Sequence, residues 1–202
     1  MLSIASFFMV FLAVLVLGLE APLPGYAVEE ITWEVQAFAD GTMVNVTGTI
    51  EQVYDKLVKI NPDFLNTVAN ITDTVTELRV AGTEHLDPGV SCGPNGHREW
   101  DRCYPKPIAD GIKYLRGVPG SPANGPGPGA CGRVSCSWKS AIWWCNDNDH
   151  TYTLNSFGDI ANCAAGILEH CSYVEKNWEY VIGMNFMPNN WNCIVRFDSD
   201  DC

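Results

Sequence analysis

The chain has 202 residues, a net charge of −12 and nine cysteines. The charge excess is acidic and no basic stripe is present to match a phosphate backbone, which argues against a nucleic-acid partner. This length fits one domain or two small ones, and so many cysteines point to an oxidising compartment.

Ile4 to Leu19 are almost wholly apolar, with no charge before Glu20. The run falls short of the roughly 20 residues that a transmembrane helix needs. Small residues at Gly18 and Ala27 suit cleavage, so residues 1–18 read as a signal peptide, removed after Gly18 or Ala27. The expected localisation is secreted and extracellular, with no stable membrane insertion after cleavage.

Residues 28–88 hold no cysteine. Ile31, Trp33, Val35 and Ala37 alternate with polar residues, as in a half-buried strand. Val44 and Val46 flank Asn45, which opens a glycosylation sequon on the wet face of a second strand; Asn70 opens another. Thr49–Gln52 has the form of a capping box, and Ile50, Val53, Tyr54 and Leu57 follow at helical spacing. Asn61–Pro62 ends that helix, and Thr74–Val80 reads as a third strand. This acidic β-β-α-β unit has no staple and is too small to be stable alone. It either packs on the remainder or is a removable pro-region.

Residues 89–202 read as a cysteine-rich α+β domain. Pro107 opens a helix with Ile108, Ile112 and Leu115 on one face and Gly117 at its end. Residues 117–132 hold six Gly and four Pro and are expected to form a long surface loop. A hairpin follows, turning at Lys139–Ser140. In that register Val134, Cys136 and Trp138 share a face with Ala141, Trp143 and Cys145, and Ile142 and Trp144 lie on the other face. Cys136 and Cys145 would then be only diagonal neighbours, so both are expected to bond to other elements. Ser156 caps a second helix with an apolar stripe from Phe157 to Cys171. The alternating runs Trp178–Phe186 and Trp191–Phe197 pair as a second hairpin, Met184 opposite Cys193 and Ile182 opposite Val195. The fold class expected is a disulfide-stabilised antiparallel sheet of two hairpins covered by two helices.

The cysteines are Cys92, Cys103, Cys131, Cys136, Cys145, Cys163, Cys171, Cys193 and Cys202. Their odd number leaves one unpaired. Proximity suggests Cys92–Cys103. A helix-to-sheet bond Cys163–Cys193 follows from placing one beside the helix stripe and the other on the sheet. Spacing does not match a zinc site, so no metal is expected.

At these residues the chain resembles a family of fungal small secreted cysteine-rich proteins. The likeness rests on Gly111–Arg116 (GIKYLR), Gly125–Gly129 (GPGPG), Cys131–Cys136 (CGRVSC), Ala141–Asp147 (AIWWCND) and Trp191–Arg196 (WNCIVR). Gly48–Val53 (GTIEQV) and Ile60–Pro62 (INP) extend it upstream. The resemblance covers most of the mature chain and implies an effector-like protein without assigned chemistry. The element order is similar to killer-toxin-like and necrosis-inducing effector sandwiches. Members of the family tend to lack counterparts of Cys163 and Cys193, which agrees with the two being a pair.

No catalytic motif stands out. His85, His97, His150 and His170 show no metal-ligand spacing. A Cys145, Asp147 and His150 constellation gives way to a bonded Cys145. Asp147–Asp149 starts like a calcium loop but lacks its glycine and distal glutamate, and Asp198–Asp201 reads as a charged tail. Glu179 and Arg196 on adjacent strands are a ribonuclease-like pair without an acid for the leaving group. Ile142 and Trp144 point away from the stapled face. Either the cysteine-free part covers them or they form a binding surface for a protein or glycan. The function expected is binding a host or competitor target outside the cell, with induction of cell death as one outcome of that binding, without catalysis and without a cofactor. The alternatives are a small secreted hydrolase (ribonuclease or glycosidase) and a killer-type toxin acting on membranes or channels.

Overall fold

The computed structural model describes residues 19–66, 89–93, 101–199 and 202. Asn70, the strand expected over Thr74–Val80, His85, His97 and the signal segment 1–18 lie outside these residues.

The N-terminal part forms as its patterning dictates. A short strand β1 (Ala27–Val28) precedes β2 (Thr32–Gln36) and β3 (Met43–Thr47). Trp33 and Val35 are buried while Thr32 and Glu34 are exposed, the period of two that a one-sided sheet requires. Trp33 lies opposite Val46 and Val35 opposite Val44. Asn45, between them, is exposed. Helix α1 (Ile50–Ile60) starts at Thr49, whose N–H donates to Gln52 Oε1 at 3.1 Å. The amide thereby satisfies a donor that the helix start would leave orphaned. Ile50, Val53 and Leu57 are buried, and the helix stops before Pro62.

The chain continues through β4 (Val90–Cys92), helix α2 (Pro105–Gly117), β5 (Gly120–Asn124), β6 (Ala130–Ser137), β7 (Ser140–Asn146) and β8 (Tyr152–Thr153). Helix α3 (Phe157–Cys171), β9 (Ser172–Glu175), β10 (Trp178–Val181), β11 (Gly183–Met187) and β12 (Trp191–Phe197) complete it. Among the described residues the result is a mixed α+β fold with three sheets. Their strand orders are β1-β6-β7-β12-β11-β4, β3-β2-β5-β8 and β10-β9. Both expected apolar helix faces are inside: Ile108, Ile112 and Leu115 of α2, and Phe157, Ile160, Ala164, Ile167 and Cys171 of α3.

The cysteine boundary near residue 88 is not a packing boundary. β2 pairs with β5, and Trp33 stacks on Phe157 with ring centroids 4.6 Å apart. Trp33, Val53 and Leu57 share one apolar cluster with Ile108, Trp144 and Ile160. Part of the expected Gly/Pro loop, Gly120–Asn124, is strand β5, and its end from Ala130 onward opens β6. Pro122 has no N–H to give, but its carbonyl accepts from Leu154 N at 3.0 Å, so proline sits in the sheet without an orphaned donor.

The first hairpin departs from its expected register. Its turn is Trp138–Lys139, both at positive φ, with Ser137 opposite Ser140. A bulge between Arg133 and Ser135 then brings Cys131 opposite Cys145, and the two are bonded across 4.0 Å between Cα atoms. The extra residue reverses the facing of Val134. Val134 joins Ile142 and Trp144 in the main core, while Trp143, Ala141 and Cys145 lie in a second cluster with Leu23.

The second hairpin slips by one residue. Met184 lies opposite Ile194 and Asn185 opposite Cys193, so Met184 and Cys193 face opposite sides. The small Gly183 and the amide Asn185 face α3 because that helix approaches closely: Asn185 Nδ2 donates to Cys163 O at 3.3 Å. The run Trp178–Phe186 is not one strand. Its first half pairs backwards with β9.

Four disulfides hold the C-terminal part: Cys92–Cys171, Cys131–Cys145, Cys136–Cys202 and Cys163–Cys193. The Cys92–Cys103 pairing is corrected. Cys92 lies opposite Gly183, and a Cβ there would stand 3.0 Å from Cys171 Sγ. The absence of that side chain is what admits the bond to α3. Cys103 is a free, buried thiol.

Candidate binding surface

Ile142 and Trp144 are fully buried and form no surface. Ile142 lies against Gly111 of α2, and Trp144 shares its cluster with Ile31 and Trp33. The cysteine-free part covers this face together with the helices, and the exposed aromatic surface lies elsewhere.

It is built on the β9–β10 hairpin. Lys176 and Asn177 form its two-residue turn, with φ of 51° and 67°, the left-handed pair that a tight hairpin demands. Trp178 faces Glu175 and Tyr180 faces Tyr173. Directly opposed residues share a face, so Tyr173, Glu175, Trp178 and Tyr180 project from one side. Val181, of the other side, is buried at the hairpin's base.

The chain entering α2 extends this face. Cys103 and Val181 exchange backbone hydrogen bonds, at 3.0 and 2.9 Å. Side chains alternate along an extended segment, so Cys103 turns inward while Arg102 and Tyr104 turn out beside the hairpin. Tyr104 and Tyr180 stack with centroids 5.8 Å apart and planes 27° from parallel. Trp178 lies 6.4 Å from Tyr104 at 61°, and Tyr173 lies 6.1 Å from Tyr180 at 41°. The Arg102 guanidinium sits 4.1 Å over the Tyr180 ring and pairs with Glu175. Tyr104 is 47% exposed, Tyr173 40% and Trp178 62%. The tip of the first hairpin stands next to it. Tyr104 N–H donates to Ser140 Oγ at 3.2 Å, and that hydroxyl donates to Trp138 O at 3.3 Å. Trp138 is 80% exposed.

Such a cluster of accessible rings has the composition of a contact surface. The pairs considered for chemistry do not assemble. Cys145 is bonded to Cys131, and His150 Nδ1 lies 2.9 Å from Asp149 in an exposed loop. Glu179 lies opposite Val174 in one sheet and Arg196 opposite Ala141 in another. Asp147 is spent internally, accepting from Asn192 Nδ2 at 2.8 Å. Among the described residues no three His, Cys, Asp or Glu side chains group as a metal site needs. A concavity of about 290 Å³ lies between Glu29, Glu30, Gln52 and Arg133; Arg133 is held by Asp198 at 3.3 Å.

By pattern Trp178 and Tyr180 belong to the alternating run Trp178–Phe186, and nothing in the pattern singles out Tyr104 or Tyr173. The signal that locates the β9–β10 hairpin is Lys176–Asn177, a turn between two short β-prone runs.

Comparison of the chain with known protein families, with curated proteins and with solved structures finds no match.

Proposed function

We propose that this is a secreted, effector-like protein that binds a host or competitor component in the extracellular space. The observation that carries the reading is the platform of Tyr104, Tyr173 and Trp178, exposed on a body held by four disulfides. Exposed aromatic clusters on a monomer mark contact sites, because leaving such area in water is unfavourable. The disulfides, and the lack among the described residues of a helix long and apolar enough to cross a membrane, are compatible with an extracellular place of action. The resemblance to fungal small secreted proteins supports the same reading. Glycosylation at Asn45 belongs to it, since that side chain is exposed on β3.

The test applies the purified oxidised protein to plant tissue and to fungal cells, beside a reduced control and the Trp178→Ala variant. A response to the oxidised protein that both controls lose is expected. No response in either system, or a full response to Trp178→Ala, overturns the reading.

A further inference from the structure

We infer that the platform takes a neutral, β-linked glucan-type polysaccharide in its solvated, single-chain form. This rests on the binding reading above and names its ligand class. Three observations point the same way.

The first is charge. The whole chain carries −12, yet on the platform side Arg102 stands against Glu175, and the other charges of the hairpin and its flanks also cancel: Lys176 and Lys139 against Glu179 and Asp101. Arg102 and Glu175 are already paired with one another. A sulfated glycan, a nucleic acid or an anionic membrane would need a basic excess that this face lacks.

The second is the kind of ring. The four rings of the platform are tyrosine or tryptophan, each with an apolar face and a hydrogen-bonding edge. A β-linked glucose unit has the matching form, with its hydroxyls around the rim and axial C–H bonds on both faces. Rings cover the C–H faces while phenol, indole and carboxylate groups meet the rim. The aliphatic Val174 projects from the opposite side of the hairpin, so the platform itself offers no purely apolar side chain.

The third is the tilt between rings. Angles of 27°, 41° and 61° give a bent surface. Coplanar rings suit the flat face of a crystalline polymer; a bent set suits a chain free to twist and follow it.

The probes are water-soluble β-1,3-glucan and β-1,4-glucan oligosaccharides, with microcrystalline cellulose and a sulfated polysaccharide as contrasts. Binding is read by tryptophan fluorescence and by calorimetry on the full oxidised protein. Saturable binding of a soluble neutral oligosaccharide is expected, little changed by salt. Trp178→Ala and Tyr104→Ala should each weaken it by about 10-fold or more, as truncated aromatic anchors do. Phe186→Ala, 52% exposed on β11, should leave it unchanged. Unaltered melting of the variants separates lost contact from lost fold. Binding only to the sulfated polymer or only to crystalline cellulose overturns the inference, as does equal binding by Trp178→Ala. If no glucan binds while the tissue response stays intact and Trp178-dependent, the glucan assignment falls and the binding function stands. If glucan binding and tissue response are both absent, both fall.

Discussion

Cys103 is the odd thiol of nine, and its position follows from its neighbours. Arg102 and Tyr104 lie on the outer face, and alternation sends Cys103 inward, where it is 2% exposed and donates to Val181 O at 3.4 Å. Burial pushes its pKa from 9.0 up to about 12, so the nucleophilic thiolate is suppressed. Native protein at pH 8 should therefore leave a thiol reagent unreacted, and unfolded protein should consume one equivalent. Two or more reactive thiols in the native state would contradict this disulfide set. The alkaline consequence has a definite sign. The folded state holds the proton that the unfolded chain gives up, so this contribution to stability is complete below pH 9 and is lost as pH rises toward 12. Tyr26 and Tyr54, raised from 10.0 to about 12 chiefly by burial, add to the loss from pH 10 upward. Unfolding midpoints at pH 8 and pH 10.5 should show the decline, and Cys103→Ala should reduce it. That one cysteine is unpaired was legible as arithmetic. Which one was not, because the answer depends on Gly183 admitting Cys171 from a distant helix.

The bulge in β6 shows how an element is fixed by something remote. Glu51 of α1 accepts from Ser135 Oγ at 2.5 Å and from Cys136 N–H at 3.1 Å. A helix in the cysteine-free part thus clamps the irregular turn of a strand in the stapled part. Removing the carboxylate strands those donors at a half-buried site. Glu51→Ala should cost about 1–3 kcal/mol, seen as a lower denaturant midpoint with unchanged slope; a midpoint equal to wild type would show that the bulge stands unaided. The capping boxes at Thr49 and Ser156 were readable because each is a local arrangement: Ser156 N–H donates to Asp159 Oδ2 at 3.1 Å, as Thr49 does to Gln52. The bulge was not readable, since one extra residue leaves the alternation plausible in either register. Pro122 hid β5 for a related reason: proline signals a loop unless the partner strand needs only its carbonyl. The platform was half legible. Its aromatic residues were visible, but alternation alone does not say which runs leave the core.

At the scale of the whole molecule, the N-terminal unit is part of the core and not a wrapper around it. β2 lies between β3 and β5, and Trp33 is completely buried. Leu23 is buried in the second cluster and Ala27 pairs with Ala130, so the fold uses residues ahead of Val28. Mass spectrometry of secreted protein should find an N-terminus between Leu19 and Leu23; a start near residue 80–92 would establish a discarded pro-region instead. Trp33→Ala should cost about 3–5 kcal/mol, measured by denaturation, as expected of a shared core. Yet every cysteine follows Gly89, so no cross-link can reach the half that Trp33 belongs to. Only the main chain between Asn66 and Gly89 keeps the two halves at high local concentration. One proteolytic cut there would turn a unimolecular fold into a two-piece complex governed by mass action. Its integrity would then depend on dilution, and four intact disulfides would do nothing to prevent the pieces from parting.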